Sequence, residues 1–318
     1  MTSPKVQALI PAEHHYYGAV PPPLNKSVPP AARAGPMHDS LLPSPYARTL
    51  YKPVFIIFLI FFGIAWVQLL LNIKLPESAN WAPGLMMVLG ACTTLVALAR
   101  RLPLQNVFWS GCLIAGLAAV VESVGVSTGI PFGPRTYLDA LGGKLLDVLP
   151  WPIPFAWIVI LINCRGVARL IMRPWRKTDY YGFWVIGFTC LLATLLDLSL
   201  EPFAVRVERY WTWQTKPDVL NWYTAPWVNF LAWFIAALSI LAFTMPWLVN
   251  KVPMKQPTDY HPLIMWQLFN LFFTTGNALH KLWPAVAVGL ATSVIVALFT
   301  IRGARWQFSV AQPVRDAS

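Results

Sequence analysis

Residues 54–73 read Val54-Phe55-Ile56-Ile57-Phe58-Leu59-Ile60-Phe61-Phe62-Gly63-Ile64-Ala65-Trp66-Val67-Gln68-Leu69-Leu70-Leu71-Asn72-Ile73, with no charged side chain between Lys52 and Lys74. As a helix rising ~1.5 Å per residue, this run is long enough to cross the ~30 Å hydrocarbon core of a bilayer. Similar apolar runs predict further spans over 84–99, 107–126, 153–171, 181–200, 227–249, 263–279 and 285–301. Only His280-Lys281-Leu282-Trp283-Pro284 separates the last two, which makes them the weakest pair in the count. The expected fold class is all-α: a polytopic transmembrane helix bundle of about eight spans, occupying 51–305. A proline-rich, disordered cytoplasmic tail is expected over 1–50 and a short cytoplasmic tail over 306–318.

Composition agrees. Hydrophobic residues make up 57% of the chain and charged residues 12%, about half the usual charged share of a soluble domain. The formal net charge of +11 could suggest nucleic acid. However, Arg100, Arg101, Arg173, Arg176 and Lys177 lie between apolar runs, where such charges set topology. No nucleic-acid partner is expected. With the amino terminus inside, the internal segments hold the larger share of Lys and Arg. The external loops keep mainly Lys74, Arg135, Lys144, Arg206, Arg209, Lys216 and Lys281. Both termini are therefore expected on the cytoplasmic side of a cell membrane, the bacterial inner membrane, and no cleavable signal peptide precedes the first run. Trp81, Trp109, Trp151, Trp211, Trp222 and Trp283 fall at span ends, as an interfacial aromatic belt would. Cys92, Cys112, Cys164 and Cys190 show no CxxC spacing, and His261 and His280 are not at ligand spacing, so no metal site is expected. Gly111, Ala115 and Ala119 follow the small-xxx-small spacing of close helix packing.

Three acidic residues lie outside the loops: Glu122 near the end of the third span, and Asp197 and Glu201 near the end of the fifth. A carboxylate at mid-membrane costs roughly 2.5–3.5 kcal/mol on insertion scales, so such residues are rare and usually functional. The third and fifth spans both run outward, which brings all three acids to the same side. Asp197 and Glu201, four apart, share one helix face. In an apolar surrounding two close carboxylates cannot both ionise easily. A neutral carboxylic acid in a dry pocket is a proton donor, and the same reasoning expects Glu122 to be neutral. After the third span, Ser127-Thr128-Gly129-Ile130-Pro131-Phe132-Gly133-Pro134-Arg135-Thr136-Tyr137 is dense enough in glycine and proline to specify a fixed non-helical lid.

Two segments carry a resemblance. Glu122-Ser123-Val124-Gly125, Thr128-Gly129-Ile130-Pro131-Phe132-Gly133 and Tyr137 form the first. Asp197-Leu198-Ser199-Leu200-Glu201-Pro202, Trp211-Thr212-Trp213, Tyr223, Pro226, Asn229-Phe230 and Trp233 form the second. Together they resemble the hallmark of the membrane carotenoid 1',2'-hydratase family, over roughly residues 80–305. Pro134-Arg135-Thr136-Tyr137 departs from it where the family often shows a second tyrosine.

The resemblance implies water addition to the terminal double bond of an acyclic carotenoid end group, with no redox cofactor. Protonating the less substituted alkene carbon leaves a tertiary cation, which water attacks. In this reading Asp197 and Glu201 are the acid–base pair and Glu122 faces them from the opposite wall, with the first donor left open. Tyr137 and Asn229 are candidates to hold the water, and Trp211, Trp213, Tyr223 and Trp233 to steady the cation. Expected partners are the carotenoid substrate, the lipid bilayer and other carotenoid-pathway enzymes. An intramembrane prenyltransferase would need a DDxxD-like motif, and the sequence has none. A proton-coupled carrier also uses intramembrane acids, but no internal repeat supports it. A catalytically silent carotenoid-binding protein would keep a cavity without depending on the acids.

Overall fold

The computed structural model describes residues 43–74, 76–216, 218–249 and 257–306. Most of the expected 1–50 tail and nearly all of the 306–318 tail lie outside them. Eight α-helices form the described bundle: α1 Pro45–Leu70, α2 Ala82–Ala99, α3 Leu104–Thr128, α4 Ile153–Ile171, α5 Tyr181–Pro202, α6 Trp227–Leu248, α7 His261–Leu279 and α8 Trp283–Arg305. All but α7 are long and apolar enough to cross a membrane. At 19 residues α7 also has the length. Its apolarity is diluted by Gln267, Asn270 and Asn277, whose amides bond to Ser293 O, Gly289 O and Ser199 O of neighbouring helices. Inter-helix hydrogen bonds of this kind hold polar side chains inside a membrane bundle.

α1 begins at Pro45, so residues 45–50 are helical and the first span starts earlier than the apolar run alone suggests. Proline suits a first helical turn because its missing N–H would be unbonded there anyway. The α4 boundaries match the reading at both ends. α4 is the centre of the bundle, packing against α2, α3, α5, α7 and α8. Two-thirds (67%) of its most apolar window is buried, against 17% for α1. α1 instead turns Ile56, Ile57, Ile60 and Ile64 outward, as a lipid-facing helix does. Gly111, in the small-residue stripe of α3, packs on Leu95 of α2 within the bundle.

The two ends of the bundle differ. At one, Arg100 and Arg101 both reach Asp259 at 3.0 Å, and Arg173 caps the α8 terminus through Ala304 O at 2.8 Å. At the other, the loops form short antiparallel ribbons. Strand β1, Arg135–Tyr137, pairs with β4, Trp211–Trp213, while β2 Lys144–Leu145 pairs with β3 Leu149–Pro150, and β5 Asn221–Trp222 with β6 Ala225–Pro226.

Candidate active site

Pro202 sets the local geometry of the second motif. It has no N–H to give to Leu198, and the backbone after it winds as a π-helical turn over Phe203–Val207. The freed carbonyls find side chains: Trp222 Nε1 donates to Leu198 O at 3.0 Å and Asn277 Nδ2 to Ser199 O at 2.9 Å. A π turn widens a helix locally and is frequent at functional sites. Here it releases the chain into β4 directly above Asp197 and Glu201.

The first motif reaches the same place through its glycines. Gly125 lies against the buried ring of Phe132, where an added Cβ would come within 2.7 Å of the ring. Gly133 adopts φ +107°, and a Cβ there would come 2.9 Å from Pro226. The chain can therefore fold tightly back from α3 into β1. Register then does the assembly: Arg135 pairs with Trp213, Thr136 with Thr212 and Tyr137 with Trp211. Leu138 N–H donates to Tyr210 O, and Gln214 N–H to Pro134 O, extending the ribbon at both ends. Side chains alternate faces along a strand. Arg135, Tyr137, Trp211 and Trp213 point in and are buried, while Thr136 and Thr212 point out.

Each inward side chain meets a carboxylate. Glu122 on α3 is 2% exposed. It pairs with Arg135 through Oε2, accepts Tyr137 Oη–H at 3.0 Å, and accepts Trp157 Nε1–H of α4 at 2.9 Å. Glu201 accepts Trp211 Nε1–H at 3.1 Å, Trp213 Nε1–H at 3.0 Å and Asn229 Nδ2–H at 3.2 Å. Asp197 accepts only Asn229 Nδ2–H, at 3.0 Å, and its Oδ1 is buried without a hydrogen-bond partner. Asn229, in the first turn of α6, thus bridges the two acids of α5. The Arg135 guanidinium stacks among Phe132, Tyr137 and Trp213 at 4.5–5.4 Å from their ring centres. Burial works against its charge, but Glu122 foremost, with Tyr137, Glu201 and Asp197, outweighs burial and raises its pKa. The buried Tyr137 hydroxyl is pushed well above its ordinary range, chiefly by desolvation.

Below the ribbon runs a cavity of ≈ 100 Å³, walled by Glu122, Arg135, Tyr137, Trp157, Trp211 and Trp233 at one end and by aliphatic and aromatic side chains along its length. Its α4 wall extends from Pro152 to Asn163, a rise of about 16 Å at ~1.5 Å per residue. The cavity is therefore a narrow apolar slot with a polar end. Trp233 stacks on Trp157, ring centres 4.5 Å apart, and its Nε1 has no hydrogen-bond partner. Asp197 and Glu201 sit one layer behind this wall, which Leu196, Leu200, Trp211 and Trp233 supply at that point.

Several readings change. Glu122 is not an acid in a purely apolar pocket, because a guanidinium is seated on it. Arg135 is no loop charge facing water but is 4% exposed. Trp211 and Trp213 are buried donors to Glu201, and Trp222 is half-buried on the α5 backbone, so none of the three is an interfacial anchor. Trp81, Trp109 and Trp283 are exposed, as the belt requires. Tyr223 does not line the slot: it turns the β5–β6 hairpin at φ 52°, and its hydroxyl accepts Ala285 N–H at 3.4 Å. Arg135 and Trp157 are the site residues that the motif reading missed. Arg135 was marked by its spacing of two from Tyr137, which puts both on one strand face. Trp157, inside an apolar run, carried no such mark.

These features define a polytopic helical membrane protein whose loops lock three buried carboxylates over an apolar slot. The model of the family described as carotenoid biosynthesis protein matches residues 83–296, which include every residue of the cluster. The chain belongs to the carotenoid biosynthesis protein family. It is also 26% identical over 178 residues to a bisanhydrobacterioruberin hydratase of Haloarcula japonica. That match covers 50% of this chain and 57% of the relative, so the chain spans little more than half of the length of the curated relative it matches. No solved structure matches the chain.

Proposed function

We propose that the protein hydrates the terminal C1'–C2' double bond of an acyclic carotenoid end group, of the lycopene or γ-carotene type, in the cell membrane. The observation that carries this reading is the unequal treatment of the three buried carboxylates. Glu122 and Glu201 each accept three hydrogen bonds, the full set that stabilises a carboxylate, whereas Asp197 accepts one. On that basis Asp197 is assigned as the proton donor, and Glu122, which fronts the slot with Arg135 and Tyr137 on it, as the group that receives the proton of water.

In this mechanism the apolar slot takes the polyene end lengthwise. The Asp197 carboxyl gives its proton to C2', and the alkene electron pair forms the new C–H bond. The tertiary cation left at C1' lies against the stacked faces of Trp157 and Trp233, each worth roughly 0.5–2 kcal/mol to a cation. Water attacks C1', and its proton passes to Glu122, oriented by Tyr137 and Arg135. The Asp197 proton is restored from the cluster, so no electrons enter or leave. Because Asp197 lies one layer back, the step requires the end group to reach it between Trp233, whose indole N–H has no hydrogen-bond partner, and the neighbouring wall residues Leu196 and Leu200. The similarity to a hydratase supports the reaction type. None of the four free cysteines lines the slot.

Expression in a host that makes lycopene and γ-carotene, followed by pigment extraction and mass analysis, tests the proposal. A product heavier by one water, absent without the chain, is expected. Unchanged pigments with folded protein in the membrane would remove the hydratase reading.

A further inference from the structure

Beside the apolar slot lies a larger cavity of ≈ 530 Å³ at the same end of the bundle. Its walls include Gln68 and Asn72 at the end of α1, Asn80, the stretch Glu208–Arg209 after the π turn, and His280. Asn72, Arg209 and His280 are exposed. Pro83, Met86, Tyr210 and Phe272 line both cavities and form the partition between them. The two spaces differ in chemistry: the slot is apolar along its length, while the chamber is rimmed with amides and charges. A water held in a protein needs ~2–4 polar partners, which the chamber offers around its rim and the slot offers mainly at its Glu122–Arg135–Tyr137 end.

Hydration consumes water at an alkene that must itself sit in an apolar place. Resting on the hydration reading above, we infer that the chamber is the water supply of the site and that Tyr210 is the positioning residue at its inner door. The backbone of Tyr210 is fixed on both sides: its N–H donates to Ala204 O at 2.7 Å, and its carbonyl accepts Leu138 N–H at 2.9 Å. The ribbon that aims Arg135 and Tyr137 at Glu122 therefore also sets this ring in the partition. A phenol hydroxyl both donates and accepts, so it can hand a water across. Burial first, and the nearby Glu208 second, push the Tyr210 hydroxyl well above its ordinary pKa, so it remains a neutral relay and does not act as a base.

The passage can be closed without touching the slot. Ala65 and Ala140 line the chamber only. The protein in lipid nanodiscs, loaded with the acyclic carotenoid, is mixed into oxygen-18 water, and labelled product is followed by mass. Ala65→Trp and Ala140→Trp are expected to slow labelled hydration by about tenfold while pigment retention is unchanged, as for a blocked access step; Ala140→Ser should leave the rate alone. Tyr210→Phe should lower the maximal rate and leave the carotenoid KM in place. Unchanged rates in both tryptophan variants would overturn the inference. If the unsubstituted protein hydrates nothing, the hydration reading has failed, and the passage is then read directly. Met86→Cys, with the exposed Cys92 and Cys112 replaced by alanine, is treated with 2-aminoethyl methanethiosulfonate from the aqueous side. Labelling of the introduced thiol that Ala140→Trp slows supports the passage; no labelling overturns it.

Discussion

Glu122 and Asp197 are both carboxylates sealed into the same end of the bundle, yet their surroundings have opposite character. Glu122 has a cation, a phenol and an indole directed at its two oxygens. Asp197 shares one amide with Glu201 and leaves an oxygen unpartnered. Burial is nearly the same for both, at 2% and 0% exposed, so depth does not distinguish them. What differs is the supply of donors: the loop gives Glu122 both Arg135 and Tyr137, with Trp157 of α4 as the third. The helices bring the acids together; the ribbon gives Glu122 and Glu201 donors that Asp197 lacks.

The most severe break of this contrast is Asp197→Asn. It keeps the shape and removes the exchangeable proton, so hydrated product should fall by about 10²–10⁴-fold, the usual contribution of a general acid. Pigment extraction from carotenoid-producing cells measures it, with size-exclusion of the purified protein as the check on folding. A variant with full yield would end the assignment of Asp197 as donor.

Next in size is Glu122→Gln, which strands the buried charge of Arg135. A stability loss of about 3–5 kcal/mol is expected, as for any buried pair that loses one member. Thermal unfolding in detergent reads it. Adding Arg135→Met should recover most of that loss and none of the activity. If the double variant is no more stable than the single, the ion pair is not the source of the effect.

Smaller effects sharpen the comparison. Trp213→Phe removes one of three donors to Glu201 and should cost about 1–3 kcal/mol through the unsatisfied buried carboxylate. The same unfolding assay would show it, and a shift below that range would mean that solvent replaces the indole. Gly125→Ala pushes a methyl against the Phe132 ring, which itself lies under Arg135. Overpacking of this kind costs about 1–3 kcal/mol. Hydration should fall with it, because the displaced ring carries the guanidinium that holds Glu122.

The helical frame was legible because long apolar runs leave few alternatives, and even the weakest expected pair, separated by five residues, is present as the helices α7 and α8. The polar residues that lower the apolarity of α7 are the ones that bind its neighbours. The three acids stood out as charges where charges are costly. The arrangement around them did not, for a physical reason: strands of three residues are too short to show a period. Arg135-Thr136-Tyr137 and Trp211-Thr212-Trp213 read as loop and interface until paired, although the outward threonines at matching positions were a visible hint. Tyr223 was not legible in the same way: a motif records proximity in sequence, whereas its left-handed backbone turns its hydroxyl to Ala285 of α8.

The β1–β4 ribbon gives the site a parity. All its useful side chains sit at alternate positions, so one residue added or lost between Phe132 and Tyr137 would swap inside for outside. Arg135 and Tyr137 would face water and Thr136 would face the acids, since a one-step slip reverses every side chain of a strand. Two residues added would restore the facing. Length changes in this loop should therefore be tolerated in even steps and fatal in odd ones, a counting rule written into six residues and independent of what the slot holds.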